Sequence, residues 1–115
     1  MKILTVAEFE FQLQTAAESV FHAFELRILE KNLFRLKARI VLSESVFIDI
    51  FFGHGRQRVD FALIREGKRV YGIDNLGDWH RHPLNSEKEH VSMSPLSVQD
   101  ILADVQKTLG IINDP

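Results

Sequence analysis

Cysteine is absent from this 115-residue chain, and its absence excludes three kinds of chemistry. Without thiols the protein can form no disulfide bond, has no thiolate nucleophile and cannot build a zinc site on cysteine ligands. A chain of this length buries roughly two-thirds of its unfolded surface, so it needs no cross-links to hold a core. The lack of cysteine also favours a protein of the reducing cytoplasm, and we expect a cytoplasmic location.

Glycine and proline are scarce as well, with six and three residues, and no stretch of them divides the chain. We therefore expect one domain over residues 1–115. No apolar run approaches the ~20 residues that a membrane span needs, and the start, MKILTVAEFEFQ, has no run of signal-peptide type, so we expect no membrane association. Motifs of the GxGxxG, GK[ST] and HExxH types are missing too, which removes the usual signals of dinucleotide, P-loop and zincin sites.

The net charge is only −2, but the charges are unevenly distributed. Residues 31–70 hold nine basic and four acidic side chains, whereas the segments on either side are acidic. Three of the bases alternate along one stretch, Arg35, Lys37 and Arg39. A basic sheet face of this kind could bind RNA, DNA or an acidic protein partner, and it could equally be a solvated surface.

Hydrophobic periodicity predicts a helix at each end of the chain. Thr5 followed by Glu8 has the capping-box pattern, and the apolar residues after it recur at helical spacing over about 6–18. Ser97 precedes a second apolar stripe at helical spacing, and Gly110 is expected to end that helix.

Between the helices, apolar and polar residues alternate with the period of two that is typical of half-buried strands. The runs lie at about 24–28, 34–42, 46–52, 58–64 and 69–74, with short polar turns between them. An alternative for the first run is that the N-terminal helix continues to Leu29. The predicted fold is α+β, a curled five-stranded antiparallel β-meander with one N-terminal and one C-terminal helix on its dry face.

Four apolar residues lie on the predicted solvent face of the third and fourth strands, Phe47, Phe51, Ala62 and Ile64. Apolar side chains on an otherwise polar face indicate that something covers them. The cover could be a second copy of the chain in a homodimer, the histidine-rich segment folding back, or the curvature of the sheet.

The segment DNLGDWHRHPLNSEKEH, residues 74–90, holds three of the five histidines and few apolar residues. In an extended chain His80 and His82 point to the same side, because side chains repeat every two residues. They could bind one metal ion with His90 as a third ligand, and zinc, manganese, iron or nickel would accept such a site. Carboxylates that could complete the coordination are Asp74, Asp78, Glu87 and Glu89. The alternative is that these are exposed loop histidines that bind nothing.

The same imidazoles support a mechanism without a metal. The unperturbed pKa of histidine, about 6.5, lies close to neutral pH, so a pair can act as general base and general acid when an RNA 2′-hydroxyl attacks its phosphodiester. The candidate catalytic residues are His80, His82, His90 and Asp74. The cations that could stabilise the phosphorane charge are Arg81, Lys88 and Arg58.

Two neighbours of the histidines have both a functional and a structural interpretation. Asn75 follows Asp74 at the end of the fifth predicted strand, where the pair could orient a histidine or hold a metal, or form an Asx turn ahead of Gly77. Trp79 could stack on a nucleobase, or it could anchor the loop to the core.

At YGIDNLGDWHRHP and KEH the chain resembles the TumE-like toxins of prokaryotic type II toxin–antitoxin pairs. The preceding RLKARIVLSESVFIDIFF is similar to the family's basic alternating strand, turn and next strand, so the resemblance covers about residues 20–92. The residues on matching positions are Asp74, Asn75, His80, His82 and His90. The resemblance implies a meander of strands and a growth-inhibiting toxin that acts on nucleic acid and is bound by a cognate antitoxin.

Three functional hypotheses follow from these observations. The first is a toxin-like nuclease whose histidine cluster works with or without a divalent metal such as zinc, manganese or nickel. The second is a non-catalytic module that binds a nucleic acid or a protein through the basic strand. The third is a metal-dependent enzyme with a small-molecule substrate, for which a deep apolar-walled pocket would be the distinguishing feature.

Overall fold

A computed structural model describes residues 3–84 and 88–113 of the chain. In chain order the elements are α1 (Val6–Val20), β1 (Glu25–Lys31), β2 (Arg35–Val41), β3 (Val46–Gly53), β4 (Arg58–Arg65), β5 (Lys68–Asp74), β6 (His80–His82), β7 (Val91–Ser92) and α2 (Val98–Asn113). Within these described residues, no helix combines the length and the apolar character that crossing a membrane requires. The candidate ligand Glu87 lies outside the described residues.

The strands form one antiparallel sheet in the order β1 to β7, so the prediction of an α+β antiparallel meander is confirmed. The prediction of five strands and of a curled sheet is wrong, because the sheet has seven strands and is not curled. The two added strands come from the histidine-rich segment, which pairs with the edge of β5 and continues the sheet. Gly77, with a φ of 76°, allows the turn that returns the chain to that edge.

Both helices pack on the same face of the sheet, and the core lies between them and the strands. Phe9 of α1 is fully buried and stacks on Phe52 of β3 with ring centres 4.4 Å apart. From α2, Ile101, Leu102 and Val105 are buried in the same core. The alternation in β2, β3 and β4 therefore directs one set of apolar side chains into the core, as predicted, and the other set onto the opposite face.

The helix boundaries follow from capping and packing. In the predicted capping box, Thr5 Oγ1 accepts from the Glu8 amide at 3.1 Å, and Glu8 Oε1 accepts from the Thr5 amide at 3.0 Å. The alternative of a helix running to Leu29 is wrong, since α1 ends at Val20 and β1 follows. The predicted stop at Gly110 is also wrong: α2 continues to Asn113, and Ile112 packs against the core beyond the glycine.

Replacing the N-cap residue should destabilise the fold measurably. We expect Thr5→Ala to lower the free energy of unfolding by about 1 kcal/mol, because two amide donors of the first turn lose their capping arrangement. Urea unfolding followed by circular dichroism measures this difference. The matched control is Thr15→Ala at an exposed position within α1, which should not destabilise the protein because alanine favours a helix interior. Equal losses for the two variants would contradict the capping role of Thr5.

The face of the sheet away from the helices, here called the open face, joins the basic strand to the histidines. Cross-strand neighbours on this face form two rows across β2, β3, β4, β5 and β6. One row is Lys37, Phe51, Asp60, Asp74 and His80, and the other is Arg39, Asp49, Ala62, Gly72 and His82. Because neighbouring strands lie about 4.8 Å apart, each row is about 19 Å long from β2 to β6.

The four apolar residues of the predicted solvent face are partly buried on this open face. Arginine side chains supply part of their cover, since the guanidinium carbon of Arg39 lies 4.0 Å from the ring centre of Phe47 and that of Arg58 lies 5.4 Å from the ring centre of Phe51. The described part of the histidine-rich segment continues the sheet edge through β6 and β7. A homodimer through this face stays a prediction.

Candidate functional site

The site is built around Asp74, which lies at the end of β5 and is only 6% exposed. Asp74 pairs with His80 across the β5–β6 ladder, and His82 lies two residues further along β6, so both imidazoles project from the same side. His80 Nε2 lies 3.2 Å from Asp74 Oδ1, and His82 Nε2 lies 2.9 Å from Asp74 Oδ2. The prediction that the two histidines share one side is confirmed, and one carboxylate lies between them.

Backbone groups orient both partners of this arrangement. Asp74 Oδ1 accepts from the Leu76 amide at 3.0 Å, which is the predicted Asx turn. His80 Nδ1 lies 2.8 Å from the carbonyl oxygen of Asp78. Since a carbonyl oxygen can only accept, Nδ1 must carry the hydrogen and donate it, and the tautomer of a neutral His80 then leaves Nε2 without a hydrogen.

His90 completes the cluster from the residue before β7. Its ring stacks on His80 with centres 4.7 Å apart, and it meets the ring of His82 edge-on at 4.5 Å. One ring nitrogen from each of the three histidines lies within 4.8 Å of those of the other two. His90 is exposed, whereas His82 is buried and His80 is half-buried, so the cluster has one face open to solvent.

The environment of Asp74 favours its ionised form on balance. Burial by itself raises the pKa of a carboxyl group, but here the Leu76 amide, the hydrogen bond to His82 and the charges of His80 and His82 outweigh it. The pKa of Asp74 is therefore lowered from its ordinary value of 3.8. Asp74 is a carboxylate at neutral pH, able to accept from an imidazole or to bind a cation.

Two arginines and a second aspartate stand beside the cluster on β4 and β5. Arg58 Nη2 and Arg69 Nη2 each lie 3.8 Å from an oxygen of Asp60, which is longer than a hydrogen bond. Among the described residues, Nε of Arg58 and both Nε and Nη2 of Arg69 are buried without a hydrogen-bond partner. Burial raises the pKa of Asp60, as does the charge of Asp74, although Arg69 and Arg58 oppose the shift.

These groups line an open cavity of about 460 Å³. The lining residues are Arg58, Asp60, Arg69, Asp74, Leu76, Asp78, His80, His82, His90 and Ser92. With neutral imidazoles, its two arginines and three aspartates give a net charge of −1. The lining is dominated by charged and imidazole side chains, unlike the apolar walls expected for a small-molecule enzyme.

Trp79 takes the structural role of its two interpretations, whereas Asn75 does not form the predicted Asx turn and bonds instead to the backbone of the neighbouring strand. Asn75 Oδ1 accepts from the Val59 amide at 2.8 Å, and its Nδ2 donates to the Gln57 carbonyl at 3.0 Å. The side chain thereby fastens the end of β5 to the start of β4. Trp79 packs against the core, and its carbonyl accepts from Met93 at 3.1 Å. In the described part of the chain neither residue lines the cavity.

Of the three cations predicted to stabilise the phosphorane charge, two, Arg81 and Lys88, do not line the described cavity. Arg81 alternates with the two histidines of β6 and so projects towards the helix side, where its charge acts on Tyr71. Tyr71 donates a hydrogen bond to Asp104 of α2, and burial raises its pKa to about 12. Lys88 is exposed and does not line the described cavity. Arg58 does line it.

The basic strand lies at the other end of the open face. Lys37 and Arg39 line a second cavity of about 280 Å³, which shares Asp60 and Arg69 with the histidine cavity. Arg39 Nε donates to Asp49 Oδ1 at 2.8 Å. Arg35 forms an ion pair with Glu30, so two of the three predicted bases are partly neutralised by acids on neighbouring strands.

Sequence reasoning missed Arg69 and Asp60 as members of the site. Each is one polar residue among several in an alternating strand, and no motif distinguishes it. The signal is the glycine at 72: a Cβ built there would lie 2.5 Å from Arg69 Nη2 and 3.1 Å from Arg69 Nε. Gly72 leaves the space in which the Arg69 side chain lies across the sheet, and that can be recognised only once the register of β4 and β5 is known.

Searches of protein-family models, of curated proteins and of solved structures find no match to this chain.

Proposed function

We propose that the histidine cavity is the site of a nuclease-type, phosphodiester-cleaving activity in a toxin-like protein. The observation that carries this proposal is the convergence of His80, His82 and His90 on one side of Asp74, beside arginine donors that are buried without an acceptor among the described residues. Imidazoles and a carboxylate supply the groups that move protons or bind a metal. Guanidinium groups match phosphate oxygens in geometry and charge.

The residues around the cavity divide the chemistry between them. Arg58 and Arg69 would hold the phosphate and stabilise the charge that develops on it. In a metal-free route, one imidazole takes the proton of the RNA 2′-hydroxyl as that oxygen attacks phosphorus, and another gives a proton to the departing 5′-oxygen. The products are then a 2′,3′-cyclic phosphate and a 5′-hydroxyl. In a metal route, the three histidines and Asp74 would instead hold a divalent cation, which would supply Lewis-acid chemistry for hydrolysis.

The biological role in the proposal is that of a growth-inhibiting toxin with a cognate antitoxin. Its support is the resemblance of YGIDNLGDWHRHP and KEH to the TumE-like toxins, together with the placement of those histidines and Asp74 in one cavity. A toxin that cleaves RNA needs an open site, because its substrate is a polymer. The exposure of His90 at the described cavity fits that requirement.

A second candidate function is a module that binds nucleic acid without cleaving it. The observation that favours it is the continuity of the open face, where the cavity that Lys37 and Arg39 line shares two residues with the histidine cavity. A single strand could lie across the face from β2 to β6, and half-buried Phe51 between them offers an aromatic ring.

The purified full-length protein should cleave a single-stranded RNA oligonucleotide, and its expression should slow the growth of a bacterial host. We expect His80→Ala and His82→Ala each to reduce the cleavage rate by about 100-fold or more, the usual contribution of a positioned acid–base or metal-binding group. Gel analysis of end-labelled RNA measures the rate, and growth curves measure toxicity. Circular dichroism verifies that each variant is folded.

The matched control is His22→Ala, which removes an exposed histidine that is outside the described cluster. It should cleave and inhibit growth like the natural protein. Intact RNA and normal growth with the natural protein would refute the nuclease proposal. RNA that is bound in a salt-sensitive manner but stays intact would instead favour the binding module.

A further inference from the structure

The spacing of donors in the histidine cavity matches the coordination sphere of a transition metal. Ligands at right angles or tetrahedral angles around a metal at about 2.1 Å are about 3.0–3.4 Å apart. The separations of 3.2 Å between Asp74 Oδ1 and His80 Nε2, and of 2.9 Å between Asp74 Oδ2 and His82 Nε2, are close to this range. One ring nitrogen of each histidine lies within 4.8 Å of those of the other two, so the cluster would have to contract by up to about 1.4 Å to bring all three nitrogens to these separations.

The orientation of His80 gives an independent reason for a cation at this point. Because its Nδ1 donates to the Asp78 carbonyl, Nε2 of a neutral ring presents a lone pair towards Asp74 Oδ1, which also presents lone pairs. Two acceptors at that distance require a cation between them, either a proton or a metal ion. A backbone carbonyl that fixes the remaining ring nitrogen is the usual outer partner of a metal-binding histidine.

The three imidazoles are close enough to one another to share one ion, since their ring centres lie 4.5–5.0 Å apart. A single ion can contact all three imidazoles and the carboxylate together. Three nitrogen donors with one oxygen donor favour a first-row transition metal over Mg²⁺ or Ca²⁺, which prefer oxygen ligands.

The charge of the cavity connects this ion to phosphate binding. Without a metal, Asp60, Asp74 and Asp78 outnumber Arg58 and Arg69, so the net charge of −1 opposes the entry of an anion. A divalent ion changes the net charge to +1. The buried donors of the two arginines, which have no acceptor among the described residues, then face a cavity that attracts phosphate.

We infer that His80, His82, His90 and Asp74 bind one divalent transition metal ion, and that a phosphate group binds against Arg58 and Arg69 only after the metal is in place. The phosphate part rests on the proposed function, whereas the metal part rests on the donor geometry alone. The order of binding makes the metal a requirement for substrate entry as well as for the chemistry.

Isothermal titration of the metal-free full chain with Zn²⁺ tests the first part. We expect one zinc ion per chain. The zinc affinity should fall about 100-fold or more in His82→Ala and at least about tenfold in His90→Ala, where the histidine is exposed. It should be unchanged in His22→Ala. Mg²⁺ at the same concentration should give no heat of binding. No stoichiometric binding of Zn²⁺, or equal binding by His90→Ala and the natural protein, would overturn the metal site.

Titration with uridine 3′-monophosphate, with and without Zn²⁺, tests the order. We expect binding only to the zinc-loaded protein, and its loss in Arg69→Ala with zinc affinity retained. Equal nucleotide binding with and without zinc would overturn the order of binding. RNA cleavage that persists in a chelator would refute the metal requirement while leaving the nuclease proposal intact. Zinc binding without any RNA cleavage would refute the nuclease proposal while leaving the metal site intact.

Discussion

Asp74→Asn is expected to abolish most of the activity, lowering RNA cleavage by about 100-fold or more and Zn²⁺ affinity by about 10–100-fold. The side chain is 6% exposed and lies between two imidazoles, with one oxygen 3.2 Å from His80 Nε2 and the other 2.9 Å from His82 Nε2. Asparagine keeps the shape and an oxygen for the Leu76 amide, but it removes the negative charge. End-labelled RNA assays and zinc titration measure the two losses.

The same substitution should also lower the stability of the fold, by an amount that depends on pH. Because the folded-state pKa of Asp74 lies below its ordinary value of 3.8, the ionised carboxylate stabilises the fold, and this contribution is complete above about pH 5. Losing the hydrogen bonds of the charged carboxylate costs about 2 kcal/mol at pH 7. As the pH falls through the folded-state pKa the carboxylate is protonated, so the difference between the two proteins should shrink towards pH 3.

Asp49→Asn is the matched control for Asp74→Asn. Asp49 lies on the same open face and bonds to Arg39, but it lies two strands from Asp74 and does not line the described histidine cavity. We expect its zinc affinity and cleavage rate to stay within about twofold of the natural values. A folded Asp74→Asn variant with natural activity would show that the carboxylate only supports the turn, and the assignment of the site would fail.

Strong alternation made most of the fold predictable from the sequence. The five predicted strands lie within about three residues of β1 to β5, because each has enough alternating apolar residues to be recognised as a strand. In β2 to β5 the alternation also identifies the buried face, whereas the residues of β1 are exposed or half-buried. The two short strands carried no such signal: β6 has three residues, two of them histidines, and β7 has two. They form because the edge of β5 offers unpaired backbone groups, a cause that lies in the tertiary structure and not in local preference.

The parts of the site that depend only on the spacing of residues along one strand were predictable from the sequence. The parts that depend on the register between strands were not. His80 and His82 share a side because they are two residues apart in an extended segment, and Asp74 is opposite His80 because the turn between them is short. Arg81 was included for its charge alone, and the same alternation that unites the histidines directs it to the other face. Arg69 lies at the site because the β4–β5 register shifts between Leu63 and Ile64, and the periodicity of the sequence does not indicate this shift.

Gly72→Ala is expected to lower the affinity for uridine 3′-monophosphate by about 10–100-fold while leaving the fold intact. The added methyl group would lie 2.5 Å from Arg69 Nη2, so the guanidinium must leave its place beside the cavity. Losing one charge-assisted hydrogen bond to phosphate has an effect of this size. Alanine also suits a strand better than glycine, by roughly 0.5–1 kcal/mol, and this offsets the cost of moving a flexible side chain.

A double-mutant cycle separates this explanation from a general disturbance of the sheet. If Gly72 acts only by making room for Arg69, the Gly72→Ala/Arg69→Ala variant should bind the nucleotide no more weakly than Arg69→Ala alone. Gly55→Ala serves as the control glycine, since a Cβ there has no atom within 4 Å, and its nucleotide affinity should be unchanged. Additive losses in the double variant would mean that Gly72 affects nucleotide binding by a route other than the position of Arg69. Zinc affinity should be the same in all four variants, because the proposed ligands are Asp74 and the histidines and not Arg69.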